Sequence, residues 1–314
     1  MTIVYRELSS LEQDLGVKAK TLYAVSNRLG THYHTVSLPK ADGSHRQLSV
    51  PDELLKSIQR KILRVLLSRA EISPYATAYR YGGGIVKNAR VHAGKVRVLK
   101  LDIRHFFDSV RYSTVKDKVF PPEQYSEQNR ILLAMLCYYR DALPQGAPTS
   151  PAISNIILRE FDNRVGGWCA ARGIVYTRYC DDMAFSGPLD AAEVMTLVRK
   201  ELAAYGFRLN ERKTKCTDCH HRQTVTGLVV NDRVNVPSSY RKRLRQEIYY
   251  CQKFGVSSHL RQIGSDDDPQ RYLHRLLGQV GFVLSASPDR EEMLGYRQWL
   301  REELAAAQYE NTPK

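Results

Sequence analysis

The sequence predicts an α+β protein, and three observations carry that prediction. Apolar residues recur at helical spacing in some segments and alternate with polar residues in others. The final 80 or so residues read as helix almost throughout. No internal repeat or low-complexity linker divides the chain, so its 314 residues form one packed unit with a helical C-terminal end.

Residues 1–30 read as helical, with Leu8, Leu11, Leu15, Leu22, Val25 and Leu29 on the apolar side. Tyr33 to Leu38 reads as a strand, Lys40-Ala41-Asp42-Gly43 as a turn, and Arg46 to Val50 as the returning strand of a basic hairpin. A helix from Asp52 to Ser68 follows, with Leu55, Ile58, Ile62, Val65 and Leu66 on one face. Gly82-Gly83-Gly84 marks a loop and lacks the lysine pattern of a phosphate-binding loop. Val96 to Ile103 reads as a strand. Ser150 caps a helix that starts on Pro151 and carries Ile153, Ile156, Ile157, Phe161 and Val165. Ile174 to Ser186 folds back on itself at Cys180-Asp181 as a hairpin. Ala191 to Tyr205 is a helix stopped by Gly206. Short strands are expected at 224–230 and 233–236, then helices at 238–254, 269–286 and 289–308.

Forty-seven Lys and Arg against 33 Asp and Glu leave a net charge of +14, which favours a polyanionic partner over a merely well-solvated surface. No apolar run approaches the roughly 18 residues of a membrane span. The N-terminus lacks the basic and apolar regions of a signal peptide, so a cytoplasmic protein is expected. The six cysteines are then free thiols. Cys216-x-x-Cys219 with His220 and His221 has half of a zinc-site pattern without a second pair, so a plain turn is the favoured reading.

The chemistry is carried by carboxylates. Asp102 ends a strand, and Asp181 and Asp182 sit at a hairpin tip. An Asp pair in a turn is common for conformational reasons alone. Adjacent carboxylates beside a third also form a hard-oxygen site suited to Mg²⁺, because a cation relieves their mutual repulsion.

The strings around these residues decide between the two. Tyr179-Cys180-Asp181-Asp182 resembles the Y-x-D-D box of reverse transcriptases. Leu101-Asp102-Ile103-Arg104-His105-Phe106-Phe107-Asp108-Ser109-Val110 resembles that family's first palm motif, and Gln145-Gly146-Ala147-Pro148-Thr149-Ser150-Pro151 its Q-G-x-x-x-S-P motif. Their order and spacing are the family's, and the likeness runs from about Tyr33 to Pro288. It implies a right-hand polymerase with fingers over 1–95, a palm with an antiparallel sheet over 96–236 and a helical thumb over 237–314. It further implies that Asp102, Asp181 and Asp182, with the Ile103 carbonyl, hold two Mg²⁺ ions, Mn²⁺ being the alternative.

By the same resemblance Phe107 excludes a 2′-hydroxyl, while also being a plausible core residue. Gln145 and Gly146 line the incoming nucleotide. Lys40 and Arg46 on the basic hairpin grip its triphosphate, where a solvated basic turn is the plainer reading. Lys213, which fits an N-x-x-K-T pattern better than Lys215 does, acts near the leaving phosphate. The box departs from bacterial relatives at Cys180, where Ala is more usual.

Asn88-Ala89-Arg90-Val91-His92 and Val225-Thr226-Gly227 resemble the N-A-x-x-H and V-T-G signatures of retron enzymes. Simple helix packing is the alternative for Asn88 and His92. The resemblance assigns Asn88, His92, Val225, Thr226 and Gly227 to RNA binding, together with Tyr240, Arg241, Lys242, Arg243 and Arg245. That thumb segment alternates bases with tyrosines, a pattern suited to phosphates and unpaired bases, or to an ordinary amphipathic helix. A retron-type enzyme copies its own structured noncoding RNA with dNTPs and starts from an RNA 2′-hydroxyl. Its branched RNA–DNA product (msDNA) stays bound, a host RNase H removes template, and a separate effector protein acts in anti-phage defence. Other bacterial reverse transcriptases and a catalytically idle RNA-binding scaffold are the rivals, against which the two signatures and the intact aspartates stand.

Overall fold

Thirteen α-helices and eight strands are found among the described residues of the computed structural model, which are 4–39, 43 and 45–310, with side chains described through 306. In chain order they are α1 (Leu8–Leu15), α2 (Ala19–Ser26), β1 (Tyr33–Pro39), β2 (His45–Pro51), α3 (Glu53–Val65), α4 (Ile85–Arg90), β3 (Arg97–Asp102), α5 (Tyr112–Val119), α6 (Glu127–Cys137), α7 (Ser150–Ile157) and α8 (Arg159–Ala170). Then follow β4 (Val175–Tyr179), β5 (Asp182–Ser186), α9 (Ala191–Ala203), β6 (Lys215–Asp218), β7 (Thr224–Val225), β8 (Leu228–Val229), α10 (Ser238–Phe254), α11 (Val256–Gln262), α12 (Pro269–Ala286) and α13 (Glu291–Glu310). The α+β class expected from the sequence is the class observed.

Local chemistry explains many of the boundaries. Asp52 caps α3 by accepting from Leu55 N–H at 2.9 Å, Asp190 caps α9 through Ala192 and Glu193 N–H, and Asp268 caps α12 with Pro269 in its first turn. The expected helix over 1–30 is two helices, because Gly16 takes φ +57° and ends α1. The expected single helix after Pro151 is also two, parted at Leu158, where the backbone leaves helical geometry (φ −90°, ψ 5°). Thr149, not Ser150, holds the cap position of α7, and the Ser150 hydroxyl donates instead to the Pro144 carbonyl at 2.8 Å. The strands expected over 224–236 shrink to two-residue pieces around Thr226 and Gly227, both at positive φ, with Asn235 bridging back to Val229.

Contact density divides the chain into two units, Met1–Gly84 with Leu99–Cys216, and Ile85–Val98 with Thr217–Lys314. The first unit holds the β1–β2 hairpin, paired antiparallel from Tyr33↔Pro51 to Pro39↔His45, and most of a four-stranded sheet in the order β4-β5-β3-β6. Its core lies between this sheet and the surrounding helices, where Leu99, Leu101, Phe161, Phe185, Val194 and Val198 are fully buried. The second unit holds the β7–β8 hairpin and a helical layer in which α10 buries Leu244, Ile248 and Cys251, and α12 buries Leu276 and Val280. No helix among the described residues is long and apolar enough to cross a membrane.

Candidate active site

The β4–β5 hairpin has a two-residue tip. Tyr179 pairs with Asp182, leaving Cys180 and Asp181 as the connection. Tight hairpin turns require positive φ, and here Cys180 supplies it at +61°. The adjacent strand ends on Asp102, which is 4% exposed. Two backbone bonds tie it in place: Ile103 N–H donates to the Asp181 carbonyl at 3.1 Å, and Asn210 N–H to the Asp102 carbonyl at 2.8 Å. Asp102, Asp181 and Asp182 therefore share one wall of an open cleft of about 1110 Å³.

The Asp102 carboxylate accepts from Lys213 Nζ at 2.8 Å and from Asn210 Nδ2 at 2.9 Å. The bond to Asp102 raises the Lys213 ammonium pKa, and the charges of all three aspartates add to it. Asp182 is reached by solvent, yet the cleft walls withdraw enough water to push its carboxyl up to about 6, and the negative charges of Asp181 and Asp102 add to that shift. Lys213 and Lys100 offset only part of it, while burial lowers the pKa of Lys100 itself.

A set of hard oxygens short of positive charge is the condition a divalent cation relieves. The chemistry of these donors fits Mg²⁺ or Mn²⁺. Among the described residues, no three His, Cys, Asp or Glu side chains converge tightly enough to enclose an ion as they stand. The Asp102 carboxylate is instead engaged by Lys213 and Asn210.

Of the remaining candidates of the first unit, Phe107, Gln145 and Arg46 line the same cleft. Phe107 is half-buried, its ring 5.2 Å from that of Phe106, so packing and a place on the cleft wall coexist. Gln145 lines the cleft, and Gly146 beside it presses on β2, donating to the Ser49 carbonyl at 3.2 Å. Exposed Arg46 enters from β2 together with His45 and Gln47. Lys40 lies outside the described residues. A second cavity of the first unit, about 790 Å³ beside Tyr5, Arg69 and Tyr125, is lined by none of the candidate site residues read from the sequence.

In the second unit the two short signatures meet each other. Asn88 Nδ2 donates to Thr226 Oγ1 at 3.5 Å, and Thr226 Oγ1 donates to the Ile85 carbonyl at 3.0 Å. Asn88, His92 and Val225 are at most 1% exposed. These three side chains pack inside the second unit. They clasp α4 to the β7–β8 turn, and Thr226 (φ +45°) and Gly227 (φ +81°) shape that turn. Burial lowers the His92 pKa to about 4, so the ring is neutral.

On α10, Arg245 pairs with Glu292, Arg241 Nε donates to the Val236 carbonyl at 3.2 Å, and Tyr240 packs edge-on against Phe282. Lys242 and Arg243 are exposed, and Tyr249, Tyr250 and Phe254 extend the same helix with exposed rings. Cys216 and Cys219 are exposed free thiols, and Asp218 between them accepts from His221 Nδ1 at 2.8 Å.

Sequence reasoning missed the supports of the hairpin. Arg178 and Asp162 are both 0% exposed and paired, and Asn210 braces Asp102. The available signal was a lone arginine in the otherwise uncharged strand Val175-Tyr176-Thr177-Arg178-Tyr179.

The family described as "Reverse transcriptase (RNA-dependent DNA polymerase)" matches residues 38–231. The retron Mx65 reverse transcriptase of Myxococcus xanthus is 32% identical over 85% of this chain and 64% of its own length. The retron Ec86 and Ec83 reverse transcriptases of Escherichia coli are each 28% identical, over 82% and 84% of this chain and 82% and 86% of their own lengths. The chain thus spans under two thirds of the Mx65 relative and most of the other two. Telomerase from Candida albicans in complex with a fragment of telomeric RNA is a looser likeness, at TM-score 0.49 and 12% identity over 85% of this chain and 63% of that one. With a family match across both aspartate motifs and retron enzymes among its relatives, the chain belongs to the reverse transcriptase (RNA-dependent DNA polymerase) family.

Proposed function

We propose that this protein is a cytoplasmic RNA-directed DNA polymerase of the retron kind. It copies part of its own structured noncoding RNA into single-stranded DNA, starts from an RNA 2′-hydroxyl and retains the branched RNA–DNA product. The observation that carries the reading is the cleft in which Asp102, Asp181 and Asp182 face Lys213, Gln145 and Phe107. The names of the relatives support the retron assignment. A host RNase H and a separate effector protein complete the proposed system, whose role is anti-phage defence. Within this reading, fingers, palm and thumb span 1–95, 96–236 and 237–314.

Each group has a task that its position permits. Asp102, Asp181 and Asp182, with the Ile103 carbonyl, would hold two Mg²⁺ or Mn²⁺ ions. Such ions, when bound, supply activation of a 3′-hydroxyl and charge stabilisation at the departing pyrophosphate. Lys213, charged and hydrogen-bonded to Asp102, places a proton donor and a positive charge at the phosphate end of the cleft. Arg46 gives a guanidinium fork for phosphate oxygens from the hairpin side, with Lys40 assigned the same role. Gln145 borders the base and sugar from the cleft wall, with Gly146 beside it setting the loop against β2, and the Phe107 ring fills the space that a 2′-hydroxyl would need. Lys242 and Arg243 offer phosphate contacts on the thumb helix.

The test is to express the gene with its flanking DNA, purify the protein and run its bound nucleic acid on a denaturing gel with and without RNase. A discrete single-stranded DNA whose mobility shifts on RNase treatment is expected. Replacing Asp181 and Asp182 with Asn should abolish the DNA and leave RNA bound. RNA without DNA in the wild type would favour the idle scaffold, and DNA synthesis by the double variant would overturn the assignment of these carboxylates.

A further inference from the structure

The hairpin that carries Asp181 and Asp182 rests on a buried ion pair that stability alone does not explain. Arg178 on β4 and Asp162 on α8 are both 0% exposed. Arg178 Nε donates to Asp162 Oδ1 at 2.9 Å and Nη2 to Oδ2 at 2.6 Å, while the Tyr176 hydroxyl donates to Oδ1 at 2.8 Å. Taking both charges out of water costs several kcal/mol per ion before their attraction offsets it, and apolar side chains of similar volume commonly serve the fold as well or better. The strand is already fastened on its outer edge, where Arg178 N–H donates to the Tyr75 carbonyl and Thr77 N–H to the Arg178 carbonyl, both at 2.8 Å.

The fork has one arm left, and it reaches the tip. Arg178 Nη1 donates to the Cys180 carbonyl at 2.9 Å. That carbonyl belongs to the middle peptide of the two-residue turn. The two turn types that suit a tight hairpin differ in this region: one needs positive φ at both central residues, the other only at the first. Cys180 has positive φ and Asp181 does not, so this hairpin is of the second kind. Turning the middle peptide over would exchange one type for the other and swing the Cα–Cβ bond of Asp181. The next carbonyl, that of Asp181, is held from the other side by Ile103 N–H at 3.1 Å. Two successive carbonyls of the tip are thus pinned by two different elements.

We infer that Arg178, oriented by Asp162, is a positioning residue that selects the turn type at Cys180-Asp181 and thereby aims the Asp181 carboxylate into the cleft. Its catalytic consequence rests on the polymerase reading above; the structural claim does not. Asp162 holds the guanidinium in plane, and Tyr176 fixes Asp162. A displacement of the order of 1 Å at reacting groups costs about 10²-fold in rate, so loss of the tip bond should appear chiefly in kcat.

The test compares wild type with two variants. One is the apolar triple Asp162→Leu, Tyr176→Phe, Arg178→Met, which removes the ion pair without stranding a charge. The other is Arg178→Lys, which keeps a partner for Asp162 but lacks the second arm that reaches Cys180, and which serves if the triple variant does not fold. Primer extension on an RNA template and hydrogen exchange of the substrate-free protein over 176–186 are both read. With unchanged urea midpoints, kcat should fall about 10²-fold with the dNTP KM within about 2-fold. Amide exchange at the tip should rise at least about tenfold while the second unit is unaffected. A folded variant with wild-type kcat and wild-type exchange overturns the inference. If the wild type itself makes no DNA, the polymerase reading fails, and the exchange comparison alone decides the positioning claim.

Discussion

Substituting Gly146 with Ala tests how the cleft is assembled. A Cβ added there would lie 2.6 Å from the Ser49 carbonyl oxygen and 2.9 Å from both Cα and Cγ2 of Val50. Carbon atoms at rest stand about 3.5–4.0 Å apart, so the loop and β2 must separate by roughly 0.5–1 Å. The obstacle is mostly backbone, which cannot rotate aside. Separation also breaks the 3.2 Å bond from Gly146 N–H to the Ser49 carbonyl. Overpacking of this kind costs about 1–3 kcal/mol, and the lost bond about 1 kcal/mol more. Urea unfolding should therefore show a loss of about 2–4 kcal/mol. Gln145 is carried on the displaced loop and Arg46 on the strand it leaves, so the dNTP KM should rise about fivefold or more, the equivalent of about 1 kcal/mol. Gly167→Ala is the internal control. It lies inside α8 with nothing within 4 Å of the added carbon, and it should stabilise by about 0.5–1 kcal/mol. A Gly146→Ala protein as stable as wild type, with an unchanged KM, would refute the close-approach argument.

Three further outcomes are expected. Phe107→Val should open the space for a 2′-hydroxyl and raise the ribonucleotide-to-deoxynucleotide ratio of kcat/KM by about 10- to 200-fold; competing primer extensions with the two nucleotide types measure it, and an unchanged ratio would leave Phe107 a core residue only. His92 is neutral in the folded protein, its pKa lowered from 6.5 to about 4 by burial first and the Lys95 charge second. The unfolded chain therefore takes up the proton first, so stability is full above pH 6.5 and falls as pH drops toward 4, by about 3 kcal/mol at most. His92→Gln should flatten that part of the urea-stability profile, and an identical slope in both proteins would count against the assignment. Replacing Tyr249 and Phe254 with Ala should weaken binding of single-stranded RNA by about 1–3 kcal/mol for each base that had stacked, measured by fluorescence anisotropy at fixed salt, whereas equal affinities would make the exposed rings bystanders.

The legible part of this protein was written in short strings. Tyr179 to Asp182, the segment around Asp102 and the Gln145-to-Pro151 loop are each contiguous strings of a few residues, so their resemblance to the motifs of the reverse transcriptase family was enough to mark them. Amphipathic helices α3, α9, α10 and α12 were legible for a related reason, since each buries one face and leaves a periodic trace. Helix α6 escaped because its run Ile131-Leu132-Leu133-Ala134-Met135-Leu136-Cys137 is apolar nearly all round and carries no period. Helices α4, α5 and α11 are only six to eight residues long, too short for a periodicity to stand out.

By itself the sequence determined the fold class and, through the strings around Asp102, Asp181 and Asp182, the family to which the chain belongs. Tertiary structure alone decided which charges are buried, because desolvation depends on everything that surrounds a group and not on its neighbours in the chain. Arg178 and Asp162, which the sequence reading passed over, are buried together only once α8 and β4 close over both. Asn210 and Lys213 were marked in sequence by an N-x-x-K-T pattern, but the tertiary structure decided that they hydrogen-bond Asp102, 108 and 111 positions away. Asn88 and His92 had helix packing as an alternative from the start, and only the tertiary structure shows that both are buried where α4 meets the β7–β8 turn.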